Sequence, residues 1–132
     1  MKSLLFDTSA LTALFRGDKA VLDVLGKADC VYASVIAIGE LEAGFRGGSR
    51  YSENLAILER FLTRPTVQVL VVTRETSDCC GRIKQALRAK GAAIPINDVW
   101  LAAQCFETGA VLVAYDRHFD CVDGLRLWQA SD

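Results

Sequence analysis

Apolar residues along the chain fall into short continuous runs that alternate with longer stretches of helical spacing. The short runs predict five strands, at 3–6, 30–35, 67–72, 110–115 and 125–128. The longer stretches predict helices over 10–16, 19–27, 36–45, 49–64, 75–90 and 99–106. This alternation predicts an α/β fold, a three-layer α/β/α sandwich around a mostly parallel sheet of about five strands.

Two of these strands carry expectations about their position in the sheet. The run from Val67 to Val72 is β-branched and nearly continuous, which predicts a strand that is covered on both faces. The run from Leu125 to Trp128 is shorter and predicts an edge strand. We expect Trp128 to pack within that edge strand, with an exposed stacking platform as the alternative.

Length and composition predict one folded domain over residues 1–132, because 52% of the residues are hydrophobic and only 23% are charged. Asp7 interrupts the first apolar run after residues 3–6, too early for a secretion signal or a membrane span, so we expect a cytoplasmic protein without membrane contact. Five cysteines without a C-x-x-C pair, together with one histidine, favour reduced thiols over a disulfide framework or a zinc site.

Acidic residues mark the positions where chemistry is expected. Asp7 and Asp116 follow predicted strands, and Asp98 lies in the first turn of an apolar helix. Parallel strands end at one edge of a sheet, where ligands of α/β proteins bind, so these carboxylates are expected to converge. Glu40 and Glu42 lie about 200° apart around their helix, so at most one of them can join the group.

A cluster of carboxylates predicts a divalent cation. Two carboxylates about 5 Å apart repel each other by roughly 3 kcal/mol at an effective dielectric near 20, and a cation removes that repulsion. Oxygen ligands favour Mg²⁺ or Mn²⁺. The alternative for each aspartate is a plain helix cap, which suits the sequence Asp7-Thr8-Ser9 well. The net charge of −1 gives no separate reason to expect nucleic acid as a partner.

Four segments in order carry a family resemblance: residues 4–11 (LLFDTSAL), 38–44 (IGELEAG), 96–103 (INDVWLAA) and 115–119 (YDRHF). They resemble the ordered motifs of PIN-domain ribonucleases, and most closely those of the VapC toxins of bacterial toxin–antitoxin pairs. The resemblance spans nearly the whole chain and selects Glu40 rather than Glu42. It implies that catalysis and metal binding rest on four acidic residues: Asp7, Glu40, Asp98 and Asp116.

The resemblance also implies an activity and a set of partners. It implies a Mg²⁺-dependent endoribonuclease, with Mn²⁺ as a possible substitute, that cleaves tRNA or ribosomal RNA through a metal-activated water. It implies a homodimer and a VapB-type antitoxin, whose C-terminal segment would lie on the apolar surface between Ile36 and Phe61; burial of that surface in the core and in the homodimer is the alternative. Ala114 departs from the family pattern, which often has Thr or Ser there; a hydroxyl from Thr8 or Ser9 is the expected replacement.

Basic residues would have to offset the repulsion between an acidic site and RNA phosphates. The chain has ten arginines and five lysines, a bias that suits bidentate phosphate contacts. The candidates are Arg16, Arg46, Arg50, Arg82 and Arg117. For His118 the expected role is packing or capping beside Phe119, ahead of phosphate contact.

Two other functions remain open at this stage. One is a catalytically silent PIN-like binding module, which RNase activity on an RNA pool would exclude. The other is an aspartate-based phosphatase of the haloacid-dehalogenase type, which also begins with an aspartate after its first strand. That class needs a second aspartate two residues later, where this chain has Ser9.

Overall fold

Four parallel strands form the central sheet of the protein, whose computed structural model describes residues 2–130. The strands are β1 (Ser3–Phe6), β2 (Cys30–Ser34), β3 (Val67–Leu70) and β4 (Val111–Val113). Their order is β3-β2-β1-β4, and every neighbouring pair is parallel. The predicted α/β fold is confirmed, with β1 and β2 at the centre of the sheet.

Six helices connect and cover the strands. They are α1 (Thr8–Phe15), α2 (Lys19–Gly26), α3 (Val35–Arg46), α4 (Tyr51–Leu62), α5 (Arg74–Ala89) and α6 (Ile96–Thr108), and a 3-10 turn (Arg117–Cys121) follows β4. Two strands pass directly into helices, because the residue at the junction caps the helix: Asp7 caps α1 and Ser34 caps α3. These junctions place the starts of α1 and α3 at the carboxyl edge of the sheet.

The fifth predicted strand is wrong. Among the described residues, the segment 125–128 forms only an isolated bridge between Leu127 and Leu112. The backbone N–H of Trp128 donates to the Leu112 carbonyl at 2.9 Å, so the segment does lie at the outer edge of β4. Because β4 is only three residues long, it offers few backbone groups with which the segment 125–128 could form a ladder of hydrogen bonds.

The predicted burial of the third strand is also wrong. β3 ends at Leu70 and lies at the edge of the sheet; Val69 is 42% exposed and Val71 62% exposed. The Val71 carbonyl leaves the ladder and accepts a hydrogen bond from Gln104 Nε2 at 3.3 Å. A β-branched run fits an edge strand as well as a central one, so its composition could not show which face lacks a cover.

The main core lies on the two faces of the sheet, where Leu4, Leu5 and Phe6 of β1 are fully buried. A second cluster fills the space between α5 and α6. All five cysteines are free, as the sequence predicts. Within residues 2–130, no helix combines the length and the hydropathy that a bilayer crossing requires.

Candidate active site at the carboxyl edge of the sheet

Asp7 is the buried centre of the candidate site. It follows β1 at the middle of the sheet, and only 2% of its surface is exposed. Its Oδ1 accepts hydrogen bonds from the Ser9 hydroxyl at 2.7 Å and from the Ala10 N–H at 2.8 Å. The pKa of Asp7 is raised from its usual 3.8 to about 6: burial is the main cause, the nearby charges of Asp116 and Asp98 add to it, and these two hydrogen bonds oppose it.

Asp98 lies in the first turn of α6, as expected, although Pro95 rather than Asn97 or Asp98 is the N-cap residue. Its side chain is 15% exposed, and its Oδ2 lies 2.5 Å from Nε2 of His118. Burial raises the pKa of Asp98 above its usual value, the contact with His118 opposes this, and the charges of Glu40 and Asp116 raise it again. His118 therefore joins the 3-10 turn to α6 at a predicted site residue.

Glu40 lies on the exposed side of α3 and reaches α1, where its Oε1 accepts a hydrogen bond from the Thr8 hydroxyl at 2.7 Å. Its charge raises the pKa of Asp98, so the two carboxyl groups act on each other. The helical spacing alone did not decide whether Glu40 or Glu42 joins the acidic group. The hydrogen bond with Thr8 shows that Glu40 contacts this edge of the sheet. The two hydroxyls expected to replace the one missing at Ala114 both contact acidic residues, Thr8 at Glu40 and Ser9 at Asp7.

Asp116 is exposed, as Glu40 is, and follows β4 by three residues. Its charge raises the pKa of both Asp7 and Asp98, which places it beside them electrostatically. The neighbouring acids have other partners: Asp120 lies 3.4 Å from Arg117, and Asp123 lies 2.9 Å from Lys90. Asp116 is therefore the acid of this segment that belongs with the cluster.

The chemistry of this donor set fits a hard divalent cation. The charges of Asp116 and Asp98 help to raise the pKa of Asp7, and those of Glu40 and Asp116 help to raise the pKa of Asp98; a bound cation would relieve this repulsion. In the described conformation no three acidic, histidine or cysteine side chains of residues 2–130 are arranged around one point as metal ligands. In Asp7, Asp98 and Glu40, the side-chain contacts described above use one of the two carboxylate oxygens. Side-chain rearrangement would therefore have to accompany binding.

A groove of about 400 Å³ opens beside Glu40. It runs between α1, α3 and α4, within the surface between Ile36 and Phe61 that the resemblance assigns to an antitoxin. Its lining is mostly apolar, with Arg16 and Glu40 as its charged residues. Its lining includes Thr8, Phe15, Arg16, Glu40, Phe45 and Ile57.

Two of the five candidate arginines line grooves that contain predicted site residues. Arg16 shares a groove with Glu40, and Arg117 shares another with Asp116. The other three contact residues three to five positions away in the sequence: Arg46 with Tyr51, Arg50 with Glu53, and Arg82 with Asp78.

The contact of His118 with Asp98 is the feature that sequence reasoning missed. The expected packing beside Phe119 is present, with ring centroids 4.9 Å apart. The link to Asp98 spans 20 residues, so no local spacing reveals it. The available signal was that His118 is the single histidine of the chain and lies two residues after Asp116.

Both the sequence and the fold of this chain are similar to those of known proteins. A family model described as "PIN domain" matches residues 4–125. "Ribonuclease VapC2" of Haemophilus influenzae is 33% identical over 94 residues, which cover 70% of each chain. A DNA-bound VapBC structure from Salmonella typhimurium has a TM-score of 0.87 at 22% identity and covers 97% of this chain and 98% of its own. Mycobacterium tuberculosis VapC20, described as a "Sarcin-Ricin loop cleaving toxin", has a TM-score of 0.71 at 18% identity over 91% and 95% of the two chains.

Proposed function

Because the chain belongs to the PIN-domain family, in which its curated relative is a VapC ribonuclease, we propose that it is the endoribonuclease toxin of a toxin–antitoxin pair. The observation that carries the proposal is the group of Asp7, Glu40, Asp98 and Asp116, whose charges act on one another at the carboxyl edge of the sheet. Hydrolysis of a phosphodiester is the chemistry that suits such a group of carboxylates.

The same four carboxylates would hold Mg²⁺ or Mn²⁺. When bound, such an ion supplies Lewis-acid chemistry, activating water and offsetting the charge that develops on the phosphate. The protein contributes hydrogen bonds that hold the carboxylates at this edge: Ser9 and the Ala10 N–H contact Asp7, Thr8 contacts Glu40, and His118 contacts Asp98. Asp116 is exposed, so it lies where a substrate backbone would enter.

We propose tRNA or ribosomal RNA as the substrate class. Support comes from the family resemblance and from VapC20, a structural neighbour described as cleaving the sarcin–ricin loop. The edge of the sheet is open at Asp116 and Glu40, which are both exposed, so a backbone of unpaired RNA can approach the carboxylates from outside. Arg16 and Arg117, on either side, would bind the neighbouring phosphates.

A VapB-type antitoxin is the proposed protein partner. The mostly apolar groove between α1, α3 and α4 would take its C-terminal segment, and Glu40 at the rim would attract a basic residue of that segment. The structural neighbour from Salmonella typhimurium is a VapBC assembly, which supports a partner of the VapB type. The resemblance also implies a homodimer of the toxin, which stays a prediction.

Expression of the chain alone is expected to arrest bacterial growth, because an unopposed ribonuclease depletes RNA that translation needs. Co-expression of the protein encoded by the adjacent antitoxin gene should restore growth, and Asp7→Asn should be harmless without it. Growth curves and fragment-end sequencing of total RNA measure both effects. Two results would contradict the toxin function. One is normal growth when the wild-type protein and the Asp7→Asn protein are present at equal levels, and the other is growth arrest that the antitoxin does not relieve.

A further inference from the structure

A second groove, of about 250 Å³, adjoins the acidic edge on the side of β4. Its lining combines the charged residues Asp116 and Arg117 with the aromatic residues Tyr115 and Trp128. It shares no lining residue with the groove proposed for the antitoxin, which includes Glu40. The function proposed above uses Asp116 and Arg117 of this groove and leaves its two aromatic residues without a role.

Tyr115 is held rigidly in this groove although it is 43% exposed. Its hydroxyl donates to Asp18 Oδ1 at 2.9 Å, and its backbone N–H donates to the Ser9 hydroxyl at 3.3 Å. Its ring meets Trp128 edge to face, with centroids 5.7 Å apart and planes at 76°. Trp128 in turn packs partly buried against the main core. The hydroxyl bond and the contact with Trp128 hold the ring, and the Ser9 bond holds the backbone. A ring that is already ordered loses less conformational entropy when a ligand binds.

We propose that Tyr115, supported by Trp128, is a stacking platform for one unpaired nucleobase of the RNA substrate. The inference deepens the proposed function and rests on it. Stacking requires a flat face beside the path of the backbone, and Tyr115 is adjacent in sequence to Asp116 of the carboxylate cluster. The tryptophan itself packs as the sequence predicted, and its tyrosine neighbour provides the exposed face.

Arg117 completes the subsite as the phosphate contact. Its side chain is 90% exposed, and its partner Asp120 lies 3.4 Å away and is half exposed. An ion pair this exposed is weak, so the guanidinium can turn to an RNA phosphate at little cost. A base on Tyr115 and its phosphate near Arg117 would place the following part of the backbone toward Asp116.

The platform defines a substrate class. A base must leave its helix to stack on a side chain, so the site selects loops, bulges and single strands over duplex RNA. Every base has an aromatic face, so the subsite by itself tolerates all four bases. We therefore expect a strong requirement for an unpaired nucleotide near the cleavage site and a weak preference for its identity at this position.

The test is binding of a fluorescent single-stranded oligoribonucleotide, measured by anisotropy in an Asp7→Asn background that keeps the RNA intact. Adding Tyr115→Leu, which retains apolar volume but removes the ring, should weaken binding by about 5- to 100-fold. Tyr115→Phe should recover most of the loss, because the ring remains. Phe106→Leu is the matched control: Phe106 is 41% exposed but lines a separate groove against α5.

An abasic nucleotide moved along the oligonucleotide identifies the stacked base. At one position it should weaken binding to the protein with Tyr115 and leave binding to the Tyr115→Leu protein unchanged. Equal affinity of the Leu and Tyr proteins, or absence of saturable RNA binding, overturns the platform. Cleavage by the wild-type protein is scored separately, so RNA cleavage with no effect of Tyr115→Leu rejects the platform and leaves the proposed function standing.

Discussion

Asp7→Asn and Asp98→Asn are each expected to lower the rate of RNA cleavage by at least about 100-fold. Loss of a group that merely orients a metal ligand costs 10- to 100-fold, and loss of a ligand itself costs no less. Each amide keeps one carbonyl oxygen that accepts hydrogen bonds, and it can take the place of Asp7 Oδ1 beside Ser9 or of Asp98 Oδ2 beside His118. The fold should survive, and the loss should appear in the cleavage rate at saturating RNA.

A remote aspartate provides the matched control for these two variants. Asp23 lies on α2, where its exposed carboxylate pairs with Lys27 at 3.1 Å. Asp23→Asn removes the same charge from the same chain and should leave the cleavage rate within about twofold of wild type, since exposed pairs of this kind contribute little. Cleavage of labelled oligoribonucleotides by all four proteins makes the comparison. Wild-type rates for Asp7→Asn or Asp98→Asn would remove these residues from the active site.

Asp7→Asn is also expected to stabilise the metal-free protein at neutral pH by about 3 kcal/mol, the equivalent of its pKa rise from 3.8 to about 6. The sign follows from burial: the folded protein holds a proton on Asp7 that the unfolded chain has released. The free energy of unfolding contributed by this group therefore falls as the pH rises from about 4 to about 6 and stays low above that range. The amide has no charge to lose and keeps the cap of α1.

Urea unfolding of both proteins in EDTA, from pH 3.5 to 7.5, measures this effect. The difference in free energy of unfolding between variant and wild type isolates Asp7 from the other titrating groups. It should grow across the window from pH 4 to 6 and then level off. A difference that is constant with pH, or a variant less stable than wild type at pH 7, would show that burial of Asp7 does not strain the folded protein. A stabilised and inactive variant would identify Asp7 as a residue kept for function.

The sequence predicted those parts of the site that depend on neighbouring residues. Asp7 directly follows an apolar run and precedes a helix, so its place at a strand end and its cap could both be predicted. Asp98 was predicted in a first helical turn for the same reason. The choice between Glu40 and Glu42 could not be made from their helix alone, because it depends on where Thr8 of α1 lies relative to α3.

Features that depend on the packing of distant segments escaped prediction. The bond between His118 and Asp98 joins a turn after β4 to the start of α6, and the bond between Tyr115 and Asp18 spans 97 residues. The run at 67–72 has the composition of a buried strand, yet β3 lies at the edge of the sheet because strand order places it outside β2. The composition of a segment shows that it can form a strand, but the elements packed beside that strand determine how much of it is buried.

Dependence of cleavage on a divalent cation tests most directly whether the four carboxylates work as proposed. The measurement is the rate at which EDTA-treated wild-type protein cleaves a labelled oligoribonucleotide as Mg²⁺ or Mn²⁺ is added back. We expect no product without the cation, restoration of cleavage with it, and a rise in the unfolding temperature of wild type that Asp7→Asn does not show. An undiminished cleavage rate in EDTA would contradict a metal site at this edge of the sheet.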